Sequence, residues 1–242
     1  MVVEIPPRHK IIAGTHLLNL GSTDLDSELR MALEIVHPRT VEVVVAPFRL
    51  SYVDLHIPAG QRSRHTGTCN FAADYEGAVG VPLDIKLYHV LPHFHYLGGS
   101  FRVEVVGGPD DGKNLYSLDG FDADGHTFDP PVDLAGTTGL RFSCGYDNRR
   151  DKEIGWGTGD QEMCVMLGLA DSRAIMDMSV QNGSQVVGKD GEVLLNEGPC
   201  SVVALPKNAA QTLPTPYNAP TLLTDEHVAA LRAWISAGVA DD

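Results

Sequence analysis

The chain has 242 residues, 43% of them hydrophobic, and a formal net charge of −14 at pH 7. This length can bury a sizeable core, in one large β domain with appendages or in two small domains. The acidic balance argues against a nucleic-acid partner, because phosphate binding needs clustered Lys and Arg. No apolar run approaches the roughly 20 residues that span a bilayer, and no signal-peptide pattern is visible at the start.

Short β-type runs separated by Gly, Pro, Asp and Asn fill residues 41–205 and are typical of an all-β protein. We predict an antiparallel, jelly-roll-like β-sandwich with strands at 41–46, 50–57, 83–91, 101–106, 140–144, 163–169, 192–195 and 201–205. Turns are expected at 107–112 and 122–125, where Gly and Asp cluster. Residues 145–162 are rich in Gly and charge, and are predicted to form a long loop that leads to Met163.

The two ends of the chain differ from this middle part. Residues 1–40 precede the predicted sandwich, and the proline and threonine content of residues 206–223 predicts an extended linker. A short helix is expected over residues 224–242. Thr224 is a good N-cap, an apolar stripe at helical spacing follows it, and Gly238 is a suitable end.

The main candidates for chemistry are His93, His95 and, 68 residues after His95, Met163. Residues two apart on a strand project from the same face, so both imidazoles would point the same way. Two imidazoles and a thioether suit copper, especially Cu(I), better than zinc or magnesium. A His-x-His pair by itself is more often a surface or hydrogen-bonded core pair than a metal site. The methionine and the surrounding motifs favour the metal site here.

Several motifs occur in the order and at the spacing of a known family. They are Ile57-Pro58-Ala59-Gly60, Cys69, His93-Phe94-His95-Tyr96-Leu97-Gly98, Cys144 and Glu162-Met163-Cys164. Over roughly residues 41–170 they resemble the second domain of the type II, ascorbate-dependent copper monooxygenases, the family of peptidylglycine α-hydroxylating monooxygenase and dopamine β-hydroxylase. The resemblance implies that His93, His95 and Met163 hold the copper at which O2 is activated and a substrate C–H bond is hydroxylated.

The four cysteines lie too far apart for a zinc ribbon or a Cys-x-x-Cys redox motif. The resemblance implies a disulfide between Cys144 and Cys164, which would fix the strand that carries Met163. It also implies that Cys69 bonds further along the chain, with Cys200 as the expected partner. Such bonds would place the protein in an oxidising compartment, periplasmic or secreted. Four buried free thiols in a cytosolic protein are the alternative.

This sequence departs from the family at the electron-transfer copper. In the family it lies in a preceding domain on three histidines. Residues 12–19 resemble the late strand of that domain and put its third histidine at His16, but the sequence has no adjacent histidine pair. His16 is therefore either the remnant of a second copper site or an ordinary strand histidine. We expect residues 1–40 to be a remnant of, or a lead-in from, such a domain.

The substrate-binding positions also differ from those of the peptidylglycine enzyme. There, an Arg before the first histidine and an Asn and a Tyr after Met-Cys are associated with binding the carboxyl end of the peptide. The corresponding residues here are Leu91, Val165 and Leu167. An apolar pocket cannot pair a buried carboxylate, and an unpaired buried charge is costly. A peptide C-terminus is therefore not the expected substrate.

Two functions of different classes follow from these patterns. The first is a copper-dependent monooxygenase, or its catalytic half, that uses copper and ascorbate or another one-electron reductant, and acts on O2 and a small organic substrate. Its electrons would come from a preceding three-histidine copper domain or from an electron-donor protein. The second is a non-catalytic copper-binding β-sandwich without the electron-transfer copper. Neither hypothesis includes a nucleic acid or a membrane span.

Overall fold

The computed structural model of the chain describes residues 1–5, 22–24, 26, 28, 30–120 and 124–207. His16 and the predicted helix at 224–242 lie outside the described residues. So do the predicted linker from residue 208 onward and two residues of the predicted turn at 122–125.

The described residues are mostly β-strands. They also contain a 3-10 helix at Pro38–Thr40 and a short helix, α1, at Ala72–Val79. The strands are β1 Val2–Val3, β2 Val44–Tyr52, β3 His56–Ile57, β4 Gln61–Asn70, β5 Lys86–His93, β6 Gly98–Val106, β7 Asn114–Asp119, β8 His126–Asp133, β9 Gly139–Asn148, β10 Ile154–Gly155, β11 Val165–Asp171, β12 Ala174–Val180, β13 Gln185–Asp190, β14 Val193–Pro199 and β15 Ser201–Pro206. No helix among the described residues is long and apolar enough to cross a membrane.

Two sheets form the body of the protein. The first has the order β15-β12-β2-β11-β5-β8, with β1 beside β2, and the second has the order β13-β14-β4-β9-β6-β7. Strands β3 and β10 form a separate two-stranded ribbon. The all-β sandwich predicted from the sequence is the fold that the structure has. All pairings are antiparallel except β1 with β2, β12 with β2 and β14 with β4, which are parallel. Parallel neighbours need long crossover connections, and the chain between β2 and β12 supplies one.

Alternating residues of the two sheets meet in one core. On β9, Phe142 and Tyr146 point inward whereas Arg141 is exposed, and on β2, Phe48 and Leu50 point inward. These side chains belong to a single cluster of buried residues drawn from both sheets. Burial of such a cluster from two facing sheets is the main source of stability in a β-sandwich.

Two disulfides tie this core together. Cys144 on β9 bonds Cys164, which precedes β11, and so links the two sheets, with Cα atoms 5.9 Å apart. Cys69 on β4 bonds Cys200, between β14 and β15, with Cα atoms 5.0 Å apart. These are the pairs that the family resemblance implies, and none of the described cysteines is free.

Some element boundaries differ from the sequence prediction. The predicted strands at 41–46 and 50–57 are largely one strand, β2, because Pro47 is accommodated in the ladder opposite Leu169. The predicted loop at 145–162 begins as strand, since β9 continues to Asn148, and it also contains β10. The predicted turn at 107–112 is present, with Gly107, Gly108 and Gly112 at positive φ.

Candidate metal centre

The two histidines lie at the end of one central strand of the first sheet. Strand β5 ends at His93, and His95 follows two residues later in the connection to β6. Their ring centroids are 5.3 Å apart and the ring planes cross at 83°. His93 is exposed and His95 is half-buried. The structure therefore brings the imidazoles side by side at the rim of the sheet.

The segment with Met163 reaches the same rim from the neighbouring strand. Strand β11 runs antiparallel to β5, and Val165 lies opposite His93 in the register. Met163 lies two residues before this last pair on one side, and His95 lies two residues after it on the other. Met163 is half-buried there. Residues far apart in sequence thus meet because β11 and β5 are neighbours.

Hydrogen bonds hold the two segments together beyond the end of the ladder. One Glu162 carboxylate oxygen, Oε2, accepts from the backbone N–H of His95 at 2.8 Å and of Met163 at 3.3 Å. The other, Oε1, accepts from the N–H of Leu97 at 2.6 Å. Glu162 is only 1% exposed. Burial raises the pKa of Glu162, and the N–H donors of Leu97 and His95 offset part of that rise.

The orientation of the His95 ring is set by a second bond. Its Nδ1 lies 2.8 Å from the backbone carbonyl oxygen of Gln161. A carbonyl oxygen can only accept, so Nδ1 carries the proton and Nε2 keeps its lone pair for a metal. Ligating histidines commonly have such a carbonyl or carboxylate partner on the other nitrogen. This bond therefore prepares His95 to act as a ligand through Nε2.

Met163 is anchored on its other side by the second sheet. The hydroxyl of Tyr146 donates to the carbonyl oxygen of Met163 at 2.7 Å, and the next residue, Cys164, is tied to Cys144. Burial raises the pKa of Tyr146 well above its usual value, and the Glu162 carboxylate adds to the rise. Tyr146 is therefore a neutral, permanent donor, and the backbone on both sides of the thioether is fixed.

The donor set fits copper better than other common metals. Imidazole nitrogen binds both copper oxidation states, and a thioether adds the soft donor that Cu(I) prefers. Within the described part of the chain, no group of three or more His, Cys, Asp or Glu residues could hold a metal ion. The set of His93, His95 and Met163 is of a different kind, because one of its three donors is a methionine.

Two exposed leucines face each other in the β5–β11 ladder close to His93. Leu91 lies opposite Leu167 in the β5–β11 ladder, and they are 37% and 46% exposed. Leu91 is two residues before His93 on the same strand, so it lies about 7 Å away along the same face. The side chains at these two positions are apolar, and Arg49, which lies opposite Leu167 on β2, is paired with Asp177.

Two further polar residues, His89 and Asn148, form hydrogen bonds outside the set of candidate ligands. His89, on the same strand as His93, bonds Thr127 through Nδ1 at 2.9 Å. The side-chain amide of Asn148 donates to the carbonyls of Ile57, Pro58 and Lys152, so it shapes a turn. The sequence motif Glu162-Met163-Cys164 includes Glu162 but assigns it no role. Its carboxylate bonds to backbone N–H groups, and every residue except proline has such a group, so these contacts cannot be predicted from the sequence.

The comparisons with known proteins add no relative. No protein-family model matches the chain, and no curated protein sequence matches it. The resemblance to the copper monooxygenases therefore stays an expectation from the sequence motifs around His93, His95 and Met163.

Proposed function

We propose that this protein binds copper at His93, His95 and Met163 and serves as a copper-dependent monooxygenase or its catalytic half. The observation that carries the proposal is the convergence of the two segments at the rim of the first sheet. There the His95 amide and ring bond to Glu162 and Gln161, the two residues before Met163. Copper bound at these side chains would supply the activation of O2 for hydroxylation of a C–H bond, with ascorbate or another one-electron reductant.

The protein's own residues would position the site and select the substrate. Gln161 holds the proton of His95 on Nδ1, and Tyr146 and the Cys144–Cys164 bond fix the backbone around Met163. Leu91 and Leu167 would contact the substrate through apolar surface. A substrate carboxylate would lose hydration against these leucines, and Arg49, the cation opposite Leu167, is already paired with Asp177. We therefore propose a small, largely apolar organic substrate.

The compartment and the electron source follow from the same features. Disulfides persist where thiols are oxidised, so the two bonds favour a periplasmic or secreted protein. The second electron for each turnover would come from a three-histidine copper domain or from an electron-donor protein. His16, the candidate remnant of such a domain, lies outside the described residues.

A second candidate function is copper binding without catalysis. This function needs only the three candidate ligands on their converging segments, and neither an electron donor nor a substrate site. Measurement of O2-dependent hydroxylation of a panel of small apolar compounds, with copper, ascorbate and an added electron-donor domain, separates the two. Copper binding without hydroxylation in every combination supports the binding module.

The copper site is tested by Met163→Ile. Isoleucine has similar bulk and no donor atom, so this variant should lose the Cu–S contribution in X-ray absorption of the reduced, Cu(I)-loaded protein, and should bind Cu(I) more weakly. Met176→Ile is the matched control, because Met176 is a buried methionine on β12. It should keep the Cu–S contribution. A wild-type protein that shows no Cu–S contribution contradicts the proposed site.

A further inference from the structure

One buried carboxylate joins both segments that carry the candidate copper ligands. Glu162 accepts three backbone N–H groups, from His95, Leu97 and Met163, at 2.8, 2.6 and 3.3 Å. Two of these donors belong to the segment after β5, and one belongs to the segment before β11. The carboxylate thus sets the spacing between the backbones at His95 and at Met163.

The backbone of Glu162 is itself held by hydrogen bonds. The N–H of Glu162 donates to the carbonyl oxygen of Gly155 at 2.9 Å, and its carbonyl oxygen accepts from the N–H of Gly157 at 3.0 Å. The side chain of Gln161 adds a bond, accepting from the N–H of Gly155 at 2.8 Å. The carboxylate therefore acts from a rigid backbone, and movement of the His95 segment would break bonds at several points.

The burial of this charge needs an explanation. A buried carboxylate is costly unless it is compensated. None of the ion pairs within the described residues includes Glu162, so backbone amides supply the compensation. An arrangement of three amides around one carboxylate is strongly directional, because each N–H must point at an oxygen. Such a group defines local geometry better than an apolar contact would.

We propose that Glu162 is a positioning residue of the copper site. It holds the backbones of His95 and Met163 at the spacing that the metal requires before the metal binds. This inference rests on the proposed copper site at His93, His95 and Met163. Preorganised ligands lose less freedom when the ion binds, and loss of an outer partner of a metal ligand typically costs about 10–100-fold in affinity.

The test is Glu162→Gln, which keeps the shape and replaces one carboxylate oxygen with an NH2 group. That group cannot accept an N–H, so the segment after β5 loses one of its two bonds to residue 162, either that of His95 or that of Leu97. We expect Cu(I) affinity, measured by competition with a colorimetric Cu(I) chelator, to fall about 10–100-fold. The Cu–S contribution in X-ray absorption should weaken as well.

Asp54→Asn is the matched control. Asp54 also holds a loop through its carboxylate, which accepts the N–H of Ser184 at 2.8 Å, and it has no bond to the copper segments. It should lower thermal stability without changing Cu(I) affinity or the Cu–S signal. All measurements are made at a temperature at which each metal-free variant is folded, as shown by circular dichroism.

Glu162→Asp decides the case if the glutamine variant does not fold. Aspartate keeps the charge but is one methylene shorter, so it cannot reach both segments, and an intermediate loss of Cu(I) affinity is expected. Wild-type affinity and Cu–S signal in a folded Glu162 variant overturn the positioning role. A wild-type protein without a Cu–S signal overturns the copper site itself, which is a separate failure.

Discussion

At the scale of single residues, His65 shows how burial in the core changes the pKa of a titratable group. Its ring lies between two tyrosine rings, with centroids 5.3 Å from Tyr52 and 5.8 Å from Tyr146. Nε2 is 3.2 Å from the hydroxyl of Ser63, whereas Nδ1 has no hydrogen-bond partner among the described residues. Burial lowers the pKa of His65 from 6.5 to about 4, so the ring is neutral in the folded protein near neutral pH.

This pKa predicts acid sensitivity of the fold. The unfolded chain binds a proton at His65 below pH 6.5 and the folded chain only below about 4, so stability falls as the pH drops through this window. The loss attributable to His65 is about 3 kcal/mol. It is measured as the free energy of unfolding in urea at several pH values. His65→Leu should have a flatter profile, and parallel profiles for the two proteins would contradict the assignment.

At the scale of elements, the link between β9 and β11 determines how firmly Met163 is held. Cys164 is bonded to Cys144 on β9, and Tyr146, two residues further along β9, bonds the carbonyl of Met163. Strand β11 also pairs with β5 and β2 on its two sides. The thioether therefore lies directly before a strand that is fixed within its own sheet, and its backbone is tied to the facing sheet.

Removal of the Cys144–Cys164 disulfide should lower both the stability of the fold and the affinity for Cu(I). The double variant Cys144→Ser with Cys164→Ser opens a link across 20 residues and should lower the free energy of unfolding by about 3 kcal/mol. It should also weaken Cu(I) binding, because the backbone at Met163 gains freedom. Chemical denaturation and Cu(I) competition measure the two effects.

The other disulfide supplies the comparison. Cys69→Ser with Cys200→Ser opens a link across 131 residues and should lower stability by more, about 5 kcal/mol. Since neither cysteine is near the copper segments in sequence, a folded variant should keep wild-type Cu(I) affinity. Equal loss of affinity in both double variants would show that Met163 is not specifically held by Cys164.

The sequence predicts some elements well and others poorly, for physical reasons. Strands β5 and β11 were predicted because each has a dense apolar run. Strand β4 was missed, because its inward positions include Ser63, His65 and Gly67, which give no apolar alternation. Helix α1 was missed because it buries only Tyr75. The candidate ligands could be found from residue type and spacing, whereas the Glu162 contacts depend on backbone atoms.

At the scale of the whole molecule, the proposed copper site would connect metal binding to folding. His95 and Met163 approach each other only when β5 and β11 are paired, so the unfolded chain has no such site. A ligand that binds only the folded state stabilises it according to its free concentration. Copper should therefore raise the stability of the entire sandwich.

This coupling gives a simple test. At a free Cu(I) concentration of 100 times Kd, the folded state should gain about 2.7 kcal/mol, and the melting temperature should rise by roughly 5–10 °C. The double variant His93→Ala with His95→Ala should show no rise, whereas Met176→Ile should behave like the wild type. Differential scanning calorimetry under anaerobic, reducing conditions that spare the disulfides makes the comparison. A rise that is equal in the double alanine variant would place the copper elsewhere.

The neighbour of Met163 gives the proposed copper site a consequence for the order of maturation. Cys164 follows the thioether directly, and a charged thiolate is a stronger Cu(I) ligand than a neutral thioether. In the reduced chain Cys164 would compete with Met163 for the ion. Bonding to Cys144 removes that competitor. The proposed copper site therefore predicts that the thiols are oxidised before the metal arrives. A chain that meets copper in a reducing cytosol would trap it as a thiolate complex, whereas a chain exported empty and then oxidised would leave the ion with two imidazoles and one thioether.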